Sequence, residues 1–444
     1  MNINNVPLLP ALVKRAKDAA RAVKDGVHVT VHQVTDNLLT KLLDLQHFAV
    51  TGYAIEQDGS GAIVHLFCHL TIDVGICPHC QAVSSQIKQY KDRCVRDHDI
   101  WGKRTFLHFQ IRRFECPACG LRFTEELATI GWRRRQTKRF EQRVYQQCLG
   151  SSKKEVAEQF ELSQTTVAGI FKYWAKRQQP AVADRPPVRV LGMDEIALKK
   201  RHKQYVLVLS DLERRCVLAV LPTREQKTLI AWLKGLTTAE KRAIRVVSMD
   251  MWRPYRAVVE KYLAHADIVA DRFHVMKQLN EQLTKARRQI QREADKKTKA
   301  ALKGCRWLLV RDRNTLTTQQ QQQLQVALAA DADLRTAYLL KEEFRLIFER
   351  SRDQERARRF LMAWVFKVQQ TNNRYLLAFV KTLRNWWQQI LNYFDERITN
   401  GFVEGMNRVI RAIIWRACGF RNFDNFKLQI LAELGFSHQH TIWR

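Results

Sequence analysis

The chain has 444 residues, 46% of them hydrophobic and 9% aromatic, enough apolar material for more than one buried core and too long for one small domain. Lys and Arg number 75 against 44 Asp and Glu, a net charge of +31, which favours a polyanionic partner, nucleic acid first. No run approaches the roughly 18 uninterrupted apolar residues of a membrane-spanning helix, and Lys and Arg break up residues 1–30, so no signal peptide is expected.

Residues 1–35 read as a basic N-terminal extension. Within it Leu9 to Val27 reads either as a basic amphipathic helix tracking DNA or as a poorly ordered leader. Residues 36–130 read as a β-rich module of short strands, among them Phe48–Tyr53, Ala62–Leu70 and Thr105–Phe114, broken by Gly, Asp and Cys pairs. Two C-x-x-C knuckles punctuate it, Cys77-Pro78-His79-Cys80 and Cys116-Pro117-Ala118-Cys119. Each places two thiolates on one tight turn, and together they supply a tetrahedral Cys₄ site for structural Zn²⁺. The alternative is a redox pair, but two pairs with Pro after the first Cys favour zinc. The 36 positions from Cys80 to Cys116 require a hairpin or small sheet between the knuckles. The other six cysteines read as ordinary residues of a reducing interior.

Residues 131–178 read as a helix-turn-helix. Lys138–Leu149 is its first helix. A short helix carrying Val156, Ala157 and Phe160 comes next, then a turn, then a helix capped by Ser163 and carrying Val167, Ile170 and Phe171. Gln164, Thr165 and Thr166 would face the major groove of double-stranded DNA. Arg133, Arg134 and Arg135 form a basic flank. The competing reading is a plain helical hairpin in a core. Residues 179–187 read as a linker, since Pro180 and the Pro186-Pro187 pair cannot continue a helix.

From 188 to 274 the pattern is β-β-β-α-β-α-β. The strands are Val188–Leu198, Tyr205–Leu209, Cys216–Leu221, Ile244–Met249 and Ile268–Ala270, with helices at Gln226–Leu236 and Pro254–Leu263. Three successive strands followed by helix-strand alternation give a mixed sheet covered by helices. Residues 275–395 read as all-helical. Gln319 to Gln323 would be a solvated helix face, and Trp307, Trp364, Trp386 and Trp387 read either as tracking DNA or mediating pairing or, for most of them, as core. Residues 396–444 carry a further helix, Gly401–Trp415, and a C-terminal tail.

Three carboxylates stand out. Asp194 follows the apolar run of the first strand, and its neighbour Glu195 should point to the other face. Asp250 follows the fourth strand and precedes a Pro-initiated helix. Glu404 opens the late helix, with Asn407 one turn on. Singly, each is an ordinary turn or cap residue. Jointly, in this order, they read as a two-metal phosphoryl-transfer site for Mg²⁺ or Mn²⁺. The closest architecture is an RNase H-like core. Asp211 is a spare candidate with a turn residue as its simpler reading. Asp271 and His274 would either help position a phosphate or close the strand by internal hydrogen bonds.

Gly-Met-Asp-Glu at 192–195, Ser-Met-Asp-Met-Trp at 248–252, Ala-Asp-Arg-Phe-His-Val at 270–275 and Asn-Gly-Phe-Val-Glu-Gly-Met-Asn at 400–407 resemble the DDE transposases of bacterial insertion sequences, nearest the ISL-three family. The run from Arg112 to Cys116, the helix-turn-helix and the tail from Gly419 to Phe426 resemble that family too. The resemblance implies that Asp194, Asp250 and Glu404 bind two Mg²⁺ ions. The Asp271/His274 spacing is similar to a motif in Mutator-like and hAT-like transposases, where a helical insertion follows. The expected fold is therefore α+β and multidomain: a zinc-binding β-rich module, a helix-turn-helix, and an RNase H-like core interrupted by a long all-helical insertion. The expected function is transposition. The protein would bind terminal inverted repeats, hydrolyse a phosphodiester and transfer the strand, acting as a homodimer or larger on paired ends. The rival is a zinc and helix-turn-helix DNA-binding regulator with an inert nuclease-like domain.

Overall fold

The structure, a computed structural model, describes residues 28–33, 38–58, 61–180, 185–199, 204–398 and 401–436. The expected helix or leader at Leu9 to Val27 and residues 181–184 of the linker lie outside them. The chain divides into two compact units between Trp174 and Ala175.

The first unit is built on a sheet of β1 (His28–Gln33), β2 (Phe48–Asp58), β3 (Gly61–Leu70), β6 (Ile87–Ile100), β7 (Lys103–Glu115) and β8 (Arg122–Thr124), in the order β1-β2-β3-β7-β6 with β8 also on β7. β3 and β7 run parallel and the other pairs antiparallel. Alternation sets the faces: Val64, Leu66 and Cys68 of β3 and Leu107, Phe109 and Ile111 of β7 bury one side, where helix α1 (Leu38–Leu43) contributes Leu43. The strands of the hairpin between the knuckles are longer than the sequence suggests, with 14 residues in β6 and 13 in β7. Lys88, Gln89 and Lys91 of β6 lie on an exposed stretch, and the buried Arg96 and Asp97 break the apolar side, which together mask the alternation.

Helices α2 (Lys138–Gln147), α3 (Lys153–Gln159) and α4 (Gln164–Arg177) follow. Their starts obey local capping chemistry. The Thr137 hydroxyl accepts from the Phe140 N–H, Ser152 and Glu155 form a capping box, and the Ser163 hydroxyl accepts from the Thr166 N–H at 3.1 Å. Val156, Ala157, Phe160, Val167, Ile170 and Phe171 are all buried, and the turn between α3 and α4 carries Glu161 at φ 51°.

The second unit holds a five-stranded mixed sheet of β9 (Val190–Lys199), β10 (Gln204–Asp211), β11 (Cys216–Leu221), β12 (Val246–Met249) and β13 (Asp267–Ala270), in the order β11-β10-β9-β12-β13. β9, β12 and β13 are mutually parallel, while β10 is antiparallel to both its neighbours. The strands are buried on both faces. Leu191, Met193, Leu207 and Leu209 pack under α5 (Gln226–Gly235) and α7 (Arg253–Tyr262), with α6 (Thr238–Ala243) between these two helices in the chain.

Ile196, Val206, Val208 and Val220 pack under two helices from the far end of the chain. A long helical stretch separates the two parts. It includes α8 (Arg272–Glu293), α9 (Thr318–Ala329), α10 (Ala332–Arg350), α11 (Gln354–Thr371) and α12 (Arg374–Asn385), with shorter helical segments between and after them. Leu279, Leu283, Phe344, Phe348, Trp364 and Phe379 form its core, which also takes in Val246 and Val269 of the sheet. The glutamine run lies on the solvated side of α9. Trp364 and Trp386 are buried and Trp387 packs against the core, but Trp307 is 61% exposed, so the core reading fails for that residue. Helices α13 (Gly401–Arg416) and α14 (Phe423–Leu434) return the chain to the sheet.

Candidate active site and nucleic-acid interface

Parallel pairing places three aspartates in one row. Met193 of β9, Met249 of β12 and Ala270 of β13 are register partners, and the residue following each is Asp194, Asp250 or Asp271. Neighbouring strands stand about 4.8 Å apart, so three carboxylates are presented side by side, just past the ends of β12 and β13 and midway along β9. Local geometry fixes each of them. Asp194 Oδ1 accepts from the Glu195 N–H at 2.8 Å, Asp250 Oδ1 from the Met251 N–H at 2.6 Å, and Asp271 caps α8 through the Phe273 N–H at 2.9 Å.

His274, one turn into α8, bridges the row. Its Nδ1 lies 2.9 Å from Asp250 Oδ1, and its Nε2 lies 4.0 Å from Asp194 Oδ1 and 3.6 Å from Asp271 Oδ2. Burial works to lower its pKa, but the hydrogen bond to Asp250 and the charges of all three aspartates outweigh that and raise it. Burial likewise opposes ionisation of Asp250, and the His274 bond outweighs it and lowers that pKa. The pair is thus an ionic clasp across the strand ends.

Glu195 points to the other face, as expected, where its Oε1 accepts from the Tyr255 hydroxyl at 3.0 Å. Glu404 lies on the first turn of α13, and its Oε1 accepts from Arg408 at 2.6 Å on the exposed side. The same helix reaches the row through Asn407, whose Nδ2 donates to Asp194 Oδ2. The Asn407 side-chain oxygen is buried without a hydrogen-bond partner. Residues three apart share a helix face, so Glu404 and Asn407 lie on one side of α13, but the Glu404 carboxylate is 59% exposed and pairs with Arg408. Asp211 is fully buried and accepts from the N–H groups of Glu213 and Arg214, the behaviour of a turn residue. The sequence reading missed the Asn407–Asp194 bond, for which the signal was the shared face of Glu404 and Asn407. It also missed the place of Asp271 in the row, which depends on the register between three parallel strands.

In the first unit the four knuckle cysteines come together, all four sulfurs within 4.8 Å of one another. Within each knuckle the backbone N–H groups converge on the first sulfur. Hydrogen bonds from Cys80 and His79 outweigh burial and lower the Cys77 pKa. Burial of Cys116 is outweighed by bonds from Cys119 and Ala118, which bring it to about 7. Four sulfurs in this closed cluster, two of them favoured as thiolates, fit a structural Zn²⁺. A buried ion pair ties the strand entering the second knuckle to the chain beyond β8: Arg112 bonds Glu125 through Nε and Nη2, and Glu125 Oε1 also accepts the Arg112 backbone N–H at 2.6 Å.

At the start of α4, Gln164 and Thr165 are exposed and Thr166 is half-buried, its hydroxyl 2.8 Å from that of Ser163. Arg133 and Arg135 are exposed. Arg134 is committed internally, paired with the buried Glu141 at 2.7 Å and lying over the Tyr173 ring.

Three family models match the chain. One, described as a transposase of the DDE ISL3 type, covers residues 191–430. A second, the zinc-finger of transposase IS204/IS1001/IS1096/IS1165, covers 73–119. The third, the helix-turn-helix domain of transposase family ISL3, covers 125–175. The transposase for insertion sequence element IS1001 of Bordetella parapertussis is 30% identical over 388 residues, 86% of this chain and 95% of that protein. The transposase for insertion sequence element IS1557 of Mycobacterium tuberculosis is 26% identical over 351 residues, 72% of this chain and 77% of that protein. With the zinc ribbon, the helix-turn-helix and the aspartate row each inside a matched segment, the chain belongs to the ISL3 (ISL-three) family of DNA transposases.

Proposed function

We propose that Asp194, Asp250 and Glu404 form the divalent-metal site of a DDE transposase, with Asp271 and His274 as positioning residues. The observation that carries this reading is the row of carboxylates on three parallel strands held by one imidazole, with Asn407 of α13, one turn from Glu404, bonded to Asp194. The donors are hard oxygens, which suit Mg²⁺ or Mn²⁺, and the buried, unpartnered Asn407 oxygen adds a further one. When bound, two such ions would activate the attacking oxygen and stabilise the leaving one. His274 would keep Asp194 and Asp250 facing each other, and Glu404 would exchange Arg408 for the site. The strand order β11-β10-β9-β12-β13 with β10 antiparallel supports an RNase H-like core, and the helices from α8 to α12 lie in the chain between Asp250 and Glu404, in keeping with a helical insertion.

In this reading the zinc module and helix-turn-helix bind the terminal inverted repeats. Gln164, Thr165 and Thr166 read the major groove, and Arg133 and Arg135 hold phosphates. Hydrolysis leaves a 3′-hydroxyl that attacks target DNA at the same site, and pairing two ends requires at least a homodimer. The test is incubation with Mg²⁺ and a labelled duplex carrying an end of the element, beside Asp250→Ala. Metal-dependent cleavage lost in the variant supports the proposal. Specific binding without cleavage in either protein refutes the catalytic part.

A further inference from the structure

The tail from Gly419 to Phe426 plays no part in the metal site, yet it builds one wall of a cavity of about 930 Å³ in the second unit. The other walls come from Leu198 at the end of β9, Gln204 and Tyr205 at the start of β10, and Pro222 to Glu225 after β11. These positions belong to the sheet end that carries the aspartate row. Leu198 is four residues beyond Asp194 on the same strand, about 13 Å at ~3.3 Å per residue.

The lining combines planar rings with guanidinium groups. Tyr205, Phe420 and Phe423 face the cavity with Arg224 and Arg421. Arg224 lies over the Tyr205 ring at 4.7 Å, and its Nη1 sits 3.5 Å from Glu195, next to Asp194 in the chain. The wall is held in place from behind. Phe420 and Phe423 pack against the fully buried Phe426, with ring centroids 5.2 and 6.3 Å away. Asn422 caps α14 through the Asn425 N–H, and Arg416 of α13 pairs with the buried Glu433 of α14. The corner between the helices turns through Cys418 at φ 50° and Gly419 at φ 91°. The one acid in the lining, Glu225, is paired with Lys227 at 2.7 Å, which leaves the mouth cationic.

We infer that this cavity receives an unpaired nucleobase of the DNA, one or two nucleotides from the phosphate at the aspartate row. Ring faces and guanidinium planes stack on any base, whereas an aliphatic occupant would pack on the rings but leave the guanidinium groups without a partner. The cationic rim matches the phosphates flanking an extruded base, and a base beside a cut or frayed end costs least to unstack. The inference rests on the proposed DNA-cutting role for its location, and its test does not need cleavage.

The probe is a short duplex with a three-nucleotide 3′ overhang containing 2-aminopurine, bound without metal to the full chain and compared with the blunt duplex. Stacking in the cavity quenches the fluorescence several-fold on binding. Tyr205→Ala combined with Arg421→Ala should abolish that quench while changing blunt-duplex affinity less than twofold. Tyr205→Phe, which keeps the ring, should retain it and serves as the folding control. An unchanged quench in the double variant overturns the inference, as does equal loss with Tyr205→Phe. Loss of self-association in the double variant with overhang binding intact would assign the cavity to a second copy, and also overturns it. Quenching retained by an Asp250→Ala protein separates this inference from the catalytic reading, which fails or stands on cleavage alone.

Discussion

Glu125→Ala tests how the zinc module holds itself together. Arg112 and Glu125 are each 7% exposed at the side chain, and Glu125 supplies acceptors to the guanidinium and to the Arg112 backbone N–H. Truncation would leave Arg112 with the Ile72 carbonyl and with Asp73, 3.2 Å away but 90% exposed. A buried charge deprived of its partner costs about 3–5 kcal/mol, a large share of a typical total of roughly 5–15 kcal/mol. Removing both charges while keeping an acceptor for the Arg112 backbone N–H, Arg112→Met with Glu125→Gln, should recover most of that loss. Urea unfolding followed by circular dichroism would measure the cycle, and the rate of zinc release to a chromogenic chelator would report on the knuckle, because Arg112 lies four residues before Cys116. The single variant should release zinc faster than wild type and the double variant close to wild type. A loss below about 1 kcal/mol in the single variant, or a double variant as unstable as the single, would refute the argument.

Asn407→Leu removes a hydrogen bond to the Asp194 carboxylate, worth about 1.5–3 kcal/mol for a charged acceptor. It should lower single-turnover end cleavage roughly 10- to 100-fold with end binding unchanged in a mobility-shift assay. Gly192→Ala would place a Cβ 2.6 Å from both Leu212 Cδ2 and Ser210 Oγ, an overpacking that should cost about 1–3 kcal/mol, read as a lowered thermal midpoint. His108 is held neutral by burial and by the neighbouring His65, which bring its pKa down to about 4. The unfolded chain therefore binds more protons between pH 6.5 and 4. The stabilising contribution is complete above about pH 6.5 and falls by about 3 kcal/mol on acidification to pH 4. His108→Phe should flatten that slope in a stability-versus-pH series.

The features legible in the sequence were the ones written locally. The knuckles follow from ligand spacing, the start of α4 from Ser163 as its cap, and strands such as Cys216–Leu221 from β-branched runs bounded by turn residues. Glu195 was read to the far face because side-chain direction alternates along a strand. What escaped depends on register between distant segments. Asp271 joins Asp194 and Asp250 only because three strands start their parallel pairing in step, and no local pattern encodes that. The His65–His108 contact, 2.9 Å across 43 positions, is of the same kind. Arg134 was grouped with its neighbours by charge, but its partner Glu141 sits seven residues on, inside the next helix. Trp307 was counted with the core tryptophans on composition, which carries no information about which side of a short helix faces out.

In the proposed reading, the helix that reads the groove precedes the last metal-binding carboxylate in the chain. The unit containing the zinc ribbon closes by Trp174, whereas Glu404 sits on a helix that begins at Gly401. During synthesis at the ribosome, a nascent protein would gain its grip on an element's end long before it could cut. If the proposed roles hold, a chain ending between these points would occupy an end without cutting it and compete there with intact copies.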